Sequence, residues 1–281
     1  MGLTTTPTAN IGRPGSHNSA TEATQFVTPP AATQRTKVSP ALLPFQLIYA
    51  LYAVTAFLLL ALLSLLPLAL VPTLAGRRRL VRWVGRAVLA VMAMPVRVQW
   101  TVGLPDPCIV VANHCSYLDG IVLCAVLPPR FGFVIKREMA SVPGAGFLLR
   151  RIGAHFVTRG NRSGGSSDAL RVIRSASRGD SLAFFPEGTF LREPGLLRFH
   201  TGAFAAAERS GAPVVPVAIL GTRHCLEPGQ FLPRPGRITV TALATLWPQP
   251  SHPDGAAALR DAARAAILAG TGEIDAAGRE A

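Results

Sequence analysis

The segment VVANHCSYLDG, residues 110–120, decides how this chain folds. An apolar run stops on Asn113 and His114, and Asp119 follows five positions after the histidine. With Cys108 and Ile109 ahead of it, the run has the composition of a strand buried on both faces. His114 then stands at the carboxyl end of that strand, where ligands collect in open α/β sheets. On one continuous helix, residues five apart are rotated by about 140°, so His114 and Asp119 meet only if a turn separates them. Ser116 suits the N-cap of a helix carrying Asp119 in its first turn, which leaves the carboxylate free to fold back onto the imidazole. A carboxylate there fixes the tautomer and stabilises the imidazolium, while the other ring nitrogen takes a proton from a hydroxyl. Taken alone, the pair fits a structural role as well as a catalytic one. Cys115 and Ser116 are alternative nucleophiles, although neighbours on a regular element point apart.

Working outward, short β-rich runs alternate with helical stretches. VRVQWTV (96–102), CIVVA (108–112), FGFVI (131–135), AHFVT (154–158), SLAFF (181–185), VVPVAIL (214–220) and RITVTAL (237–243) read as strands. Helical patterns fall around 121–126, 167–177 and 202–209. This alternation predicts an α/β domain over residues 96–250, with a mixed, largely parallel sheet flanked by helices. Residues 251–281 are expected to add a terminal amphipathic helix and a frayed end.

Residues 1–39, rich in Thr, Ala, Pro and Ser without periodicity, are expected to form a disordered tail. Residues 40–95 read as a membrane-anchoring helical segment. Residues 45–66 are uncharged and mostly apolar, bracketed by Pro44 and Pro67, and long enough to cross about 30 Å of hydrocarbon. Arg77, Arg78, Arg79, Arg82 and Arg86 follow at once, so this flank and the α/β domain are expected on the cytoplasmic side. With Trp83, Val84, Val88 and Leu89 they are expected to make an amphipathic helix lying on anionic lipid. Pro67 and Pro72 permit either one span plus a surface helix or a hairpin dipping into one leaflet.

The net charge of +13 calls for an anionic partner. Its clustering beside the apolar segment, with no RNA- or DNA-binding motif in view, favours lipid over nucleic acid. The histidines show no HxxxH or HExxH spacing, so no metal is expected. The four cysteines form no CxxC pair and read as reduced core residues.

LAFFPEGTF, residues 182–190, ends a second apolar strand on Pro186, Glu187, Gly188 and Thr189. A glycine there lets the backbone turn so that N–H groups face an anion, with the Glu187 carboxylate and Thr189 hydroxyl beside them. Together, Asn113, His114 and Asp119 (NHxxxxD) and Phe185 to Gly188 (FPEG) resemble the glycerolipid acyltransferase family, the 1-acylglycerol-3-phosphate acyltransferases and their relatives. GAHFVTR (153–159) and VVPVAI (214–219) resemble two further blocks of that family, in the same order.

The resemblance implies that His114, oriented by Asp119, deprotonates a glycerol hydroxyl that attacks the thioester of acyl-CoA or acyl-ACP, with no other cofactor. It implies that Arg159 binds the acceptor phosphate, with Lys136 as a further candidate, and that Glu187, Gly188 and Thr189 hold the acceptor or shape its loop. One departure stands out: many members carry arginine after the EG(T/S) triplet, where this chain has Phe190, with Arg192 two residues on. The acceptor is therefore either the phosphate or a lysolipid of another head group, such as an acyl-ornithine type.

Overall fold

The computed structural model describes residues 43–100, 103–158, 165–249 and 254–279. The expected tail and Arg159 lie outside the described residues.

Helix α1 runs Leu43–Leu70 and α2 runs Leu74–Val91. Pro67 does not end the first helix as expected but lies inside it; the break comes at Val71 and Pro72, before the Thr73 cap that accepts from the Gly76 N–H. The two helices pack together, with the Tyr49 and Tyr52 hydroxyls donating to the carbonyls of Met92 and Val91. The α1 face turned away from the protein exposes Phe45, Ile48, Leu51, Leu62, Leu66 and Leu70.

Seven strands follow: β1 Val96–Trp100, β2 Ile109–Ala112, β3 Gly132–Lys136, β4 His155–Val157, β5 Leu182–Phe184, β6 Val214–Leu220 and β7 Ile238–Ala242. They form one sheet in the order β1-β7-β6-β2-β5-β3-β4. Strands β6, β2, β5, β3 and β4 run parallel, and β7 turns antiparallel to β6 while pairing in parallel with β1. The sheet is therefore mixed and largely parallel.

Alternate residues of the central strands feed two cores, as the two-residue period requires. Val110, Ala112, Val217 and Ile219 pack toward α1, α2 and α3 (Leu118–Val126). Ile109, Val111, Phe184 and Val214 pack toward α5 (Gly165–Ser177), α6 (Gly202–Ser210) and α8 (Gly255–Thr271). A 3-10 turn, Arg137–Ser141, and helix α4, Ala145–Arg151, follow β3, and a four-residue helix α7, Thr222–Cys225, follows β6. Where described, the stretch after α8 is tied down and not frayed as expected: Leu196 pairs with residues 274–276 through two backbone hydrogen bonds, and Arg264 forms an ion pair with Asp275.

The arginines of α2 depart from expectation. Arg82 and Arg86 donate to the carbonyls of Ala125 and Val126 at the end of α3, and Arg78 donates to those of Arg130 and Ile152. Cations at a helix carboxyl end satisfy orphan carbonyls and meet the negative end of the helix dipole. These three therefore fasten α2 to the domain, and the face left to the surroundings carries Arg79 and Trp83.

Candidate active site

The carboxyl ends of five parallel strands open on one edge, and the residues singled out in the sequence stand there. At the end of β2, Asn113 extends the ladder with its side chain. Its amide donates to the Ile219 carbonyl at 2.9 Å and its oxygen accepts from the Ile219 N–H at 2.7 Å. This buried two-bond clamp fixes the point where the chain leaves the sheet for His114.

Asp119 lies in the first turn of α3 with no exposure, and its Oδ2 takes three partners: His114 Nδ1 at 2.9 Å and the N–H groups of Cys115 and Ser116 at 2.7 and 2.8 Å. The turn that brings His and Asp together is thus folded around the carboxylate. The helix begins at Leu118, one residue later than a Ser116 cap implies; the Ser116 hydroxyl accepts from the Leu118 N–H and donates to the Leu226 carbonyl. With Nδ1 engaged, the chemistry falls to Nε2. The imidazole stacks on Phe185, ring centroids 4.2 Å apart, and Phe190 meets it edgewise at 4.4 Å, with Tyr117 against Phe190 in turn. Phe190, not Arg192, therefore walls the histidine.

Neither rival nucleophile is poised. The buried Cys115 thiol lies 3.3 Å from the Thr222 hydroxyl, and burial holds it well above the usual thiol range, so thiolate is scarce. Ser116 is fully buried and bonded to backbone.

The FPEG turn follows β5. Gly188 adopts φ +80°, a left-handed conformation that suits glycine. Its N–H is spent on the Phe185 carbonyl at 3.1 Å, so it does not face outward as an anion donor. Glu187 takes the loop-shaping place, one of the two that the resemblance implies: it is buried, and its two oxygens accept from the His114 N–H at 2.6 Å and the Leu197 N–H at 2.8 Å. In doing so it braces the backbone of the histidine. A carboxylate in a polar turn reads as exposed in sequence; only the three-dimensional proximity of β2 and the 196–199 segment reveals the brace. Thr189 is exposed beside it, and Lys136 at the end of β3 is half exposed near Glu138.

Burial pushes the Glu187 carboxyl up to about 8, against the opposing pull of the two N–H donors. An acid whose folded pKa exceeds its unfolded value stabilises the fold fully below the unfolded pKa, and the contribution is lost as pH rises through the folded one. Glu187→Gln keeps a neutral group in place, so the melting temperature of the variant relative to wild type should climb by a few degrees between about pH 5 and pH 9. Calorimetry across that range checks it, and a difference independent of pH would sink the argument.

A groove of about 170 Å³, lined by Val134, Val157, Thr158, Phe184, Phe185 and His200, adjoins the imidazole through Phe185. Asp168 supports its rim, accepting from the Thr158 N–H at 2.9 Å and forming a two-pronged pair with Arg137. Sequence reading missed Asp168, because the lone carboxylate at the start of α5 carries no local sign that Arg137 will reach it.

Comparison with known proteins agrees with this arrangement. An acyltransferase family model matches residues 96–220, the span from β1 to the end of β6. A 1-acyl-sn-glycerol-3-phosphate acyltransferase of Neisseria meningitidis is 33% identical over 177 residues, 61% of this chain and 66% of that protein. A lyso-ornithine lipid O-acyltransferase of Pseudomonas aeruginosa is 36% identical over 145 residues, 51% of this chain and 54% of that protein. The chain thus spans just under two thirds of the first relative's length. The crystal structure of the 1-acyl-sn-glycerophosphate acyltransferase PlsC from Thermotoga maritima superposes with a TM-score of 0.67 at 21% identity, covering 82% of this chain and 95% of that one, and so shares the fold. With the family model spanning all the ordered blocks, residues 96–220 form a domain of the acyltransferase family, similar to that of the 1-acyl-sn-glycerol-3-phosphate acyltransferases.

Proposed function

We propose that the protein transfers a fatty acyl group from acyl-CoA or acyl-ACP to the free hydroxyl of 1-acylglycerol 3-phosphate, giving phosphatidic acid. The observation that carries this is the His114–Asp119 pair, locked at Nδ1 and open at Nε2. The acceptor hydroxyl gives its proton to Nε2 as its oxygen attacks the thioester carbonyl, and Asp119 stabilises the imidazolium. Collapse of the tetrahedral oxyanion expels the thiolate, which takes the proton back from His114. The apolar groove beside Phe185 has the lining an acyl chain requires. Arg159 follows β4, whose end opens on the same edge, and together with Lys136 would hold the acceptor phosphate.

How α1 is held supports one membrane placement over the other. The Tyr49 hydroxyl donates to the Met92 carbonyl near one end, and Arg151 holds the Leu68 and Ala69 carbonyls near the other. These points lie about 28 Å apart along the helix at about 1.5 Å per residue. A helix pinned to the domain at both places lies along it, and cannot cross the bilayer while the domain stays in water. Of the two arrangements open in sequence, this supports the hairpin in one leaflet, and the basic flank supports an active site on the cytoplasmic face.

A second reading rests on Phe190: with an aromatic wall where arginine is usual, a lyso-ornithine-type acceptor competes with the phosphate. The test is transfer from radiolabelled acyl-CoA and acyl-ACP to both acceptors. We expect 1-acylglycerol 3-phosphate to be preferred by about tenfold or more, and Phe190→Arg to widen that ratio through a charge-assisted contact. Preference for the ornithine lipid would establish the second reading, and no acylation of either would defeat both.

A further inference from the structure

The loop after α7 is built to hold two large apolar residues out in the open. Phe231 is 81% exposed and Leu232 51%. Such exposure in a floppy segment would mean little, but this loop is tied. Glu227, Pro228, Gly229 and Gln230 have the pattern of a type II turn, with Gly229 at φ +74° and the Gln230 N–H on the Glu227 carbonyl at 3.1 Å. The Arg234 N–H closes the base on the Cys225 carbonyl at 2.7 Å, and the Arg234 side chain pairs with Glu227 at 3.7 Å.

Its root sits against two features already described. Leu226 and, from α1, Tyr49 and Phe57 pack against one and the same core cluster, of which Ala53 of α1 is a member, and Tyr49 lies within electrostatic reach of Cys225. The Leu226 carbonyl accepts from the hydroxyl of Ser116, two residues after His114. The tip is therefore anchored next to the apolar helix on one side and to the active-site turn on the other.

We propose that residues 226–234 form a second lipid-inserting element, with Phe231 and Leu232 entering the bilayer beside α1. This rests on the leaflet placement of α1 argued above. A rigid stem carrying two bare hydrophobes loses little ordering entropy on insertion, and a root that shares its core cluster with α1, whose outer face is apolar and exposed, names lipid as the occupant over a second protein chain. Because the root is bonded to Ser116, insertion also sets the height of the active-site turn above the acyl chains.

The test uses full-length protein reconstituted in phosphatidylcholine–phosphatidylglycerol vesicles. For Phe231→Trp, the emission added over wild type should be blue-shifted and lose about half or more of its intensity when the lipid chains are brominated, as expected 5–10 Å into the interface. Added emission that stays red and is quenched by aqueous iodide overturns the proposal. So does a blue shift in lipid-free micelles that grows with protein concentration, which would assign the patch to a second copy of the chain. The double variant Phe231→Ser with Leu232→Ser should raise the KM for vesicle-borne acceptor about tenfold. A short-chain acceptor below its micelle threshold should be acylated as by wild type, and equal loss with both acceptors would mean a merely structural role. The quenching result stands whatever acceptor the enzyme uses, so failure of the insertion and failure of the acyltransferase reading are separable.

Discussion

His114→Ala lowers acyl transfer by about 10³-fold or more, whereas Cys115→Ala stays within about twofold of wild type: this is the expected outcome of a base-catalysed transfer without a covalent acyl-enzyme. Two features of the site require it. The histidine is the titratable side chain whose free nitrogen sits at the open edge of the sheet, and Asp119 Oδ2 holds its other nitrogen at 2.9 Å. Cys115 is turned away to Thr222 and kept protonated by its burial. Transfer from radiolabelled acyl-CoA by purified variants measures both, with circular dichroism to confirm that His114→Ala is folded. Loss on removing Cys115 would point to a thioester intermediate and reverse the assignment. A His114→Ala protein that matches wild type would remove the catalytic reading and leave a lipid-binding scaffold.

Much of this site was legible because it is local. NHxxxxD lies within one strand–turn–helix unit, and a carboxylate five residues after a histidine has few places to go once a strand and a helix are fixed around it. All seven strands announced themselves, those like β2 that are buried on both faces by a continuous apolar run and half-exposed ones like β1 by alternation. What was hidden is non-local. Nothing in RITVTAL says that β7 inserts between β1 and β6, because that order is decided by crossovers and not by any strand's own residues. The two-bond clamp of Asn113 joins positions 106 residues apart, and Glu187 braces His114 across 73. The arginines of α2 misled for another reason. A guanidinium beside an apolar run looks the same in sequence whether its partner is a lipid phosphate or a backbone carbonyl, and here four of the five, Arg77, Arg78, Arg82 and Arg86, chose carbonyls.

The second large effect concerns Asp119 and separates positioning from charge. In Asp119→Asn the amide oxygen takes the place of Oδ2, where Cys115 N–H and Ser116 N–H both need an acceptor. The amide nitrogen then falls at Oδ1, an atom that is buried and has no hydrogen-bond partner. An unmet N–H₂ there costs about 1–3 kcal/mol, which a folded domain tolerates, so the turn survives. The imidazolium, however, loses the negative charge that offsets it in the transition state. We expect kcat to fall by about 10² to 10⁴-fold with the KM of the acceptor nearly unchanged, since no contact to bound substrate is removed. Asp119→Ala removes the acceptor of all three hydrogen bonds and should lose stability as well as activity. If Asp119→Asn instead keeps kcat and raises KM, the carboxylate serves acceptor binding and the His114 base acts without it. Steady-state kinetics on the two variants, read beside their melting temperatures, decides which task the carboxylate performs.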